Sequence, residues 1–210
     1  AGEGVLAGAE VRPLPGPEVK ASPLQSAQAQ VLIGQPGYKR NDPDFFPLFV
    51  GHDILGGGGF VSRLANEVRE KRGLSYSVYS YFAPGLHAGA FTVGMQTRPD
   101  QTAQAVTVSR DVLERFVTEG PTESELKAAK DNLIGGFALR IDSNRKLLDN
   151  VANSAWNNLA LDYLDTWPRQ VEKVTGAEIK DDLGGKGKRG GGVIVTGGGT
   201  VAGGQKETRK

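Results

Sequence analysis

Four consecutive glycines, Gly56–Gly59, interrupt the chain between two segments that both read as helices. No regular element runs through such a stretch, because glycine loses more backbone freedom on ordering than any other residue. Residues 42–72 must therefore fold as helix, tight connection, helix. The first helix starts at Asp42-Pro43, an N-cap carboxylate followed by proline at the first helical position, and runs through FFPLFVGHDIL. The second, Val61 to Arg72, sets Val61, Leu64, Ala65 and Val68 on one face, pairs Glu67 with Lys71 on another, and ends at Gly73. A glycine run just before a helix invites a phosphate-binding reading. However, Phe60-Val61-Ser62 follows where a Walker loop needs Lys-Ser/Thr, and a helix precedes where a dinucleotide fingerprint needs a strand. The glycines read as a connection that requires positive φ or close backbone contact.

The remaining punctuation completes an architecture. Ala27 to Gly34 reads as a strand, and Ser75 to Phe82 (SYSVYSYF) as another. Pro84-Gly85 signals a turn, after which His87 to Thr97 returns as the second arm of a hairpin. Helices follow at about 99–119, 123–141, 144–159 and 163–174, with capping boxes at Thr122-x-x-Glu125 and Thr175-x-x-Glu178. After a short helix at Glu178, residues 192–196 (GVIVT) form a last apolar strand. This order predicts the α+β class, a mixed or antiparallel β-sheet backed by helices on one face. Pro13, Pro15, Pro17 and Pro23 mark residues 1–23 as a linker or extended arm. Residues 24–197 are expected to be a single domain, and the glycine-rich stretch 198–210 a flexible tail. The chain opens at Ala1 rather than methionine, as a mature, fragmentary or recombinantly trimmed product would.

Composition narrows the function. With 25 Lys+Arg against 24 Asp+Glu the net charge is +1, which gives no basic field for nucleic acid. No apolar run approaches the ~20 residues that span a bilayer, so no membrane partner is expected. The absence of cysteine removes disulfides, thiolate metal sites and cysteine nucleophiles together. His52 and His87 stand far apart and outside any zinc-peptidase spacing, so each reads as a surface, capping or turn histidine rather than a metal ligand. No nucleophile elbow occurs, and the chain holds no complete catalytic constellation.

Residues Ile54 to Tyr81 carry a more specific pattern. A glycine-rich turn leads to Ser62-Arg63-Leu64, a helix ends in Arg69-Glu70-Lys71-Arg72-Gly73-Leu74, and Tyr76 lies seven residues beyond Arg69. This segment strongly resembles the second, zinc-free domain of the peptidases that include pitrilysin, insulin-degrading enzyme and the mitochondrial processing peptidase. The resemblance extends more loosely over Ala27 to Thr196, whereas Gly184 to Arg189 match poorly.

The resemblance implies the metallohydrolase-like fold of that family and a division of labour. A zinc-bearing domain supplies two histidines, a glutamate ligand and a glutamate base. The related domain across the cleft supplies an arginine and a tyrosine, matched here by Arg69 and Tyr76, as catalytic and substrate-binding residues. A guanidinium offers a planar fork of donors to peptide carbonyls, and a phenol can donate to the oxyanion of a tetrahedral intermediate. On spacing alone, Arg69 would be one solvated charge among Arg63, Glu67, Glu70, Lys71 and Arg72, and Tyr76 one of three tyrosines in a half-buried strand. The glycine turn and Ser62 are expected to serve packing.

No inverted zinc motif occurs in the sequence, so the chain is expected to be inactive alone, with no cofactor of its own and zinc in a partner. Three arrangements follow from the resemblance: the C-terminal half of a longer protease, a metal-free subunit of a two-chain enzyme, or a structural module of the same fold without catalysis. The first two imply a zinc-bearing homologous domain or subunit and a peptide substrate as partners, the peptide pairing in part with an exposed strand edge. Bacterial members suggest a periplasmic location.

Overall fold

A computed structural model describes residues 16, 18–23, 25–186 and 193–197. Their strands form one five-stranded sheet in the order β1-β5-β2-β4-β3, where β1 is Glu18–Ser22, β2 Ala29–Pro36, β3 Ser75–Phe82, β4 Ala90–Thr97 and β5 Val193–Gly197. β1 runs parallel to β5 and every other pair is antiparallel, so the sheet is mixed. The end of the segment read as an arm is therefore an edge strand of the sheet. Its partner lies at the far end of the chain, which local composition cannot reveal. The tail 198–210 lies outside the described residues.

The sheet buries one face. Val31 and Ile33 of β2, Phe91, Val93 and Met95 of β4, and Val78 of β3 alternate into the core, while Leu32, Tyr79 and Tyr81 are left on the other side. The helices cover the buried side: α1 (Phe45–His52), α2 (Thr102–Glu119), α3 (Glu123–Gly135), α5 (Tyr163–Lys173) and α6 (Gly176–Lys186) contribute Leu48, Val112, Phe116, Leu133, Trp167, Val171 and Ile179. α4 (Asn144–Trp156) buries none of its residues and exposes Leu147, Leu148, Val151 and Trp156.

Both capping boxes form as read. Glu125 N–H donates to Thr122 Oγ1 (3.2 Å) while Thr122 N–H donates to Glu125 Oε2 (2.8 Å), and Thr175 and Glu178 repeat the exchange at 3.2 and 2.8 Å. Several boundaries move, those of the strands where a tertiary contact outweighs local preference and those of the helices for local reasons. β2 starts and ends two residues later than expected, because its length is set by pairing with β4 from Ala29–Thr97 to Pro36–Ala90. β4 begins at Ala90 rather than His87, since Gly89 instead exchanges backbone hydrogen bonds with Gly37 and Tyr38. α1 begins at Phe45; Asp42 makes the turn before it, its carboxylate accepting from Asp44 N–H at 3.0 Å. The expected helix 123–141 breaks at Gly135-Gly136 and resumes as a 3₁₀ turn, Ala138–Arg140.

Candidate functional site

The site is built outward from the glycine turn. α1 does not end as an α-helix; it widens into a π-helical turn, Asp53–Gly57, closed by Gly58 N–H to the Asp53 carbonyl at 2.7 Å. Gly56 presses against β3: a Cβ there would lie 2.5 Å from Ser80 Oγ and 2.8 Å from Leu64 Cδ1. Gly57 packs on the His52 ring, where a Cβ would approach to 2.4 Å, and Gly59 has φ +67°. The turn thus uses both properties expected of it, close approach and positive φ.

The turn then delivers two apolar side chains to solvent. Phe60 and Val61 occupy a 3₁₀ turn, Gly59–Val61, and are 74% and 89% exposed. Val61 therefore departs from the expected buried face, which retains only Leu64, Ala65 and Val68. Ser62 is buried and starts the next helix: its Oγ donates to the Gly59 carbonyl at 2.7 Å and accepts from Ala65 N–H at 3.4 Å.

That helix also carries a π-helical stretch, Ala65–Glu70, with Lys71 N–H reaching back to the Asn66 carbonyl at 2.9 Å. Gly73, at φ +59°, closes it through Gly73 N–H to the Arg69 carbonyl (2.8 Å) and Leu74 N–H to the Val68 carbonyl (3.0 Å). This double closure reverses the chain within two residues and turns it straight into β3.

β3 begins with a β-bulge. Ser75 pairs with Thr97 and Ser77 with Gln96, so Tyr76 has no opposite residue. Ser75 Oγ pins the irregularity by bridging the carbonyls of Ser77 and Gln96, each at 2.6 Å. A bulge re-aims the side chain it carries, and Tyr76 is 81% exposed. The Arg69 guanidinium carbon lies 5.2 Å from the Tyr76 ring centroid and 4.4 Å from that of Phe60, and Nε lies 3.5 Å from a Glu70 carboxylate oxygen. Arg69 and Tyr76 thus meet at one solvent-facing corner, with Phe60 as a third member.

The other charges of the motif do different work. Arg63 is an internal tie, donating Nε to Glu125 Oε1 (2.6 Å), Nη2 to Glu125 Oε2 (2.7 Å) and Nη2 to the Gly120 carbonyl (3.0 Å). Its hydrogen bonds hold the Glu125 carboxyl down at about 2. Glu67 accepts from Lys71 and Arg72, both at 2.6 Å, and these bonds lower its pKa. His52 is not a surface group: Nε2 donates to the Ser80 carbonyl at 2.7 Å, and burial holds its pKa below the usual value. The Ser80 carbonyl of β3 is thus engaged by a side chain of α1.

Among the described residues no group of three or more His, Cys, Asp or Glu side chains could hold a metal ion, so the donor set here does not fit zinc. No described helix is long and apolar enough to cross a membrane. The sequence reading overlooked Phe60 and the bulge. Phe60 left a signal, a large apolar residue directly after four glycines; the bulge left none, because it depends on register with β4.

The sequence pattern described as the peptidase M16 inactive domain matches residues 5–133. The chain is 36% identical to the peptidase M16 inactive domain from Pseudomonas fluorescens, whose crystal structure superimposes with a TM-score of 0.87 over 94% of this chain and 47% of that one. It is 37% identical over 130 residues to an uncharacterized zinc protease of Streptomyces coelicolor, covering 62% of this chain and 28% of the relative. It is also 34% identical over 128 residues to the non-peptidase homolog YmxG of Helicobacter pylori, covering 60% and 29% respectively. The chain thus spans under a third of these two curated relatives.

Proposed function

The chain belongs to the peptidase M16 family as its inactive domain, and from that premise we propose that it is the substrate-binding, zinc-free half of a pitrilysin-like metallopeptidase. It completes the peptide cleft of a zinc-bearing domain or subunit. The observation that carries this reading is the corner at which Arg69 and Tyr76 meet, 5.2 Å from guanidinium carbon to ring centroid, on a bulge that turns the tyrosine outward. A purely structural sheet has no use for an unpaired, exposed tyrosine beside an arginine fork. In the assembled cleft Arg69 donates to carbonyls of the bound peptide, and the Tyr76 hydroxyl donates to the oxyanion that forms when water attacks. Phe60 and Val61 supply apolar surface for substrate side chains or for the rim of the partner. Zinc, when bound in the partner, supplies the activated water. A periplasmic location belongs to the same proposal, tested by fractionating cells that carry the full-length gene.

A second reading, a structural module without catalysis, is favoured by the Helicobacter pylori relative described as a non-peptidase homolog. One experiment separates the two. The chain is reconstituted with the zinc-bearing domain encoded in its parent gene or a neighbouring one, and cleavage of a quenched fluorescent peptide is followed. Tyr76→Phe is expected to cut turnover about a hundredfold, the usual effect of losing an oxyanion donor, and Arg69→Ala to lower kcat/KM about tenfold or more through lost charge-assisted hydrogen bonds to the peptide, with zinc content unchanged in both. Turnover equal to wild type, or a gene neighbourhood with no zinc motif, leaves the structural reading standing instead.

A further inference from the structure

We propose that the cavity beside α1, α5 and the Ala138–Arg140 turn binds a carboxylate carried on an aromatic or branched apolar body. The cavity measures about 240 Å³, the scale of a single ring with a short tail. Phe45, Phe49, Tyr163 and Trp167 line it together with the guanidiniums of Arg40 and Arg140, and none of the lining side chains is acidic. The two cations are held by their faces. The Arg40 guanidinium carbon lies 3.9 Å from the Phe45 ring centroid and 4.8 Å from that of Tyr163, and that of Arg140 lies 5.5 Å from Trp167 and 5.9 Å from Phe49. Stacking occupies the flat faces and leaves the edge N–H groups for acceptors. On Arg40, Nη2 donates to the Tyr163 hydroxyl, while Nη1 is buried with no hydrogen-bond partner. A buried donor without an acceptor beside a second, exposed arginine is a seat for a planar anion. The aromatic walls select an apolar body over a bare ion.

The site requires neither zinc nor a partner domain, so its failure and that of the peptidase reading are separable. A free aryl acid and the C-terminal carboxylate of a peptide ending in Phe share the chemistry. The test uses the whole chain carrying Trp156→Phe, an exposed residue away from the cavity, so that the one indole N–H resonance belongs to Trp167. 3-Phenylpropionate, its amide, and N-acetyl-Ala-Phe with a free or amidated terminus are titrated in turn. Saturable shifts of Trp167 with at least one carboxylate are expected. The matching amide should bind about tenfold more weakly, and Arg140→Gln should weaken the carboxylate by a similar factor. The tighter of the two carboxylates identifies the source. Arg140→Gln is preferred to an Arg40 variant because Arg140 is exposed and its loss should leave the fold intact. The proposal is overturned by no saturable shift from either carboxylate, by equal affinity for acid and amide, or by unchanged affinity in Arg140→Gln.

Discussion

Arg63 grips Glu125 through two parallel hydrogen bonds, Nε–Oε1 at 2.6 Å and Nη2–Oε2 at 2.7 Å, and the same glutamate closes the capping box of α3. A single carboxylate thus ties the start of the motif helix to the start of a helix 62 residues away in sequence. Arg63 and Arg69 lie on the same short element and are both half-buried, but they differ in their partners: Arg63 is fixed to Glu125, whereas Arg69 stacks on the rings of Phe60 and Tyr76.

Breaking that tie should cost stability and change the acid limb. Arg63→Gln removes the guanidinium donors from the Gly120 carbonyl and from the Glu125 carboxylate, which keeps only Thr122, and should lower the unfolding free energy by about 2 kcal/mol. Because Glu125 is held at about 2 in the native state against its usual 4.5, its contribution is fully present above pH 4.5. That contribution fades as pH falls toward 2. Urea unfolding at a series of pH values should therefore show a wild-type decline over this window that is smaller in Glu125→Gln; parallel declines would contradict the assignment.

The glycines of the turn should differ in what they tolerate. Gly56→Ala drives a Cβ into Ser80, 2.5 Å from Oγ and 2.7 Å from the backbone nitrogen, and should destabilise by about 1–3 kcal/mol. Gly59→Ala meets open space and suffers only from φ +67°, a cost of about 1 kcal/mol. Thermal or denaturant midpoints of the two variants should fall in that order.

The residues of the candidate site should be separable from the fold. Tyr76→Phe removes one exposed hydroxyl, and Arg69→Ala removes a half-buried side chain whose charged contact is a 3.5 Å approach to Glu70. Their unfolding free energies should stay within about 0.5 and 1 kcal/mol of wild type respectively. Losses as large as that of Arg63→Gln would mark them as structural instead.

His52 should add a pH dependence near neutrality. Burial depresses its native pKa below the usual 6.5 while the Ser80 carbonyl pulls the other way. Its neutral form stabilises the protein above pH 6.5, and that stabilisation is lost as pH falls through the lowered native value. A drop in stability between pH 7.5 and 5 that shrinks in His52→Gln is the expected result, measured by denaturant unfolding at the two pH values.

The parts of this protein that its sequence determined are those closed within a few residues. The capping boxes at Thr122–Glu125 and Thr175–Glu178 need only a hydroxyl and a carboxylate three apart. The Gly73 closure needs only one residue able to adopt positive φ, and the spacing from Arg69 to Tyr76 crosses one helix end and one strand start. The pair is legible because the reversal at Gly73 is local. What only the tertiary structure decided depends on distant partners. Register with β4 creates the bulge that exposes Tyr76, Glu125 takes up the Arg63 guanidinium, and pairing with β5 makes an edge strand of residues 18–22. Phe60 stands beside Arg69 because Gly56 can press against Ser80 across the fold. Hydrogen bonds between near neighbours are written into residue order. Those that span the molecule follow from which surfaces the core brings together.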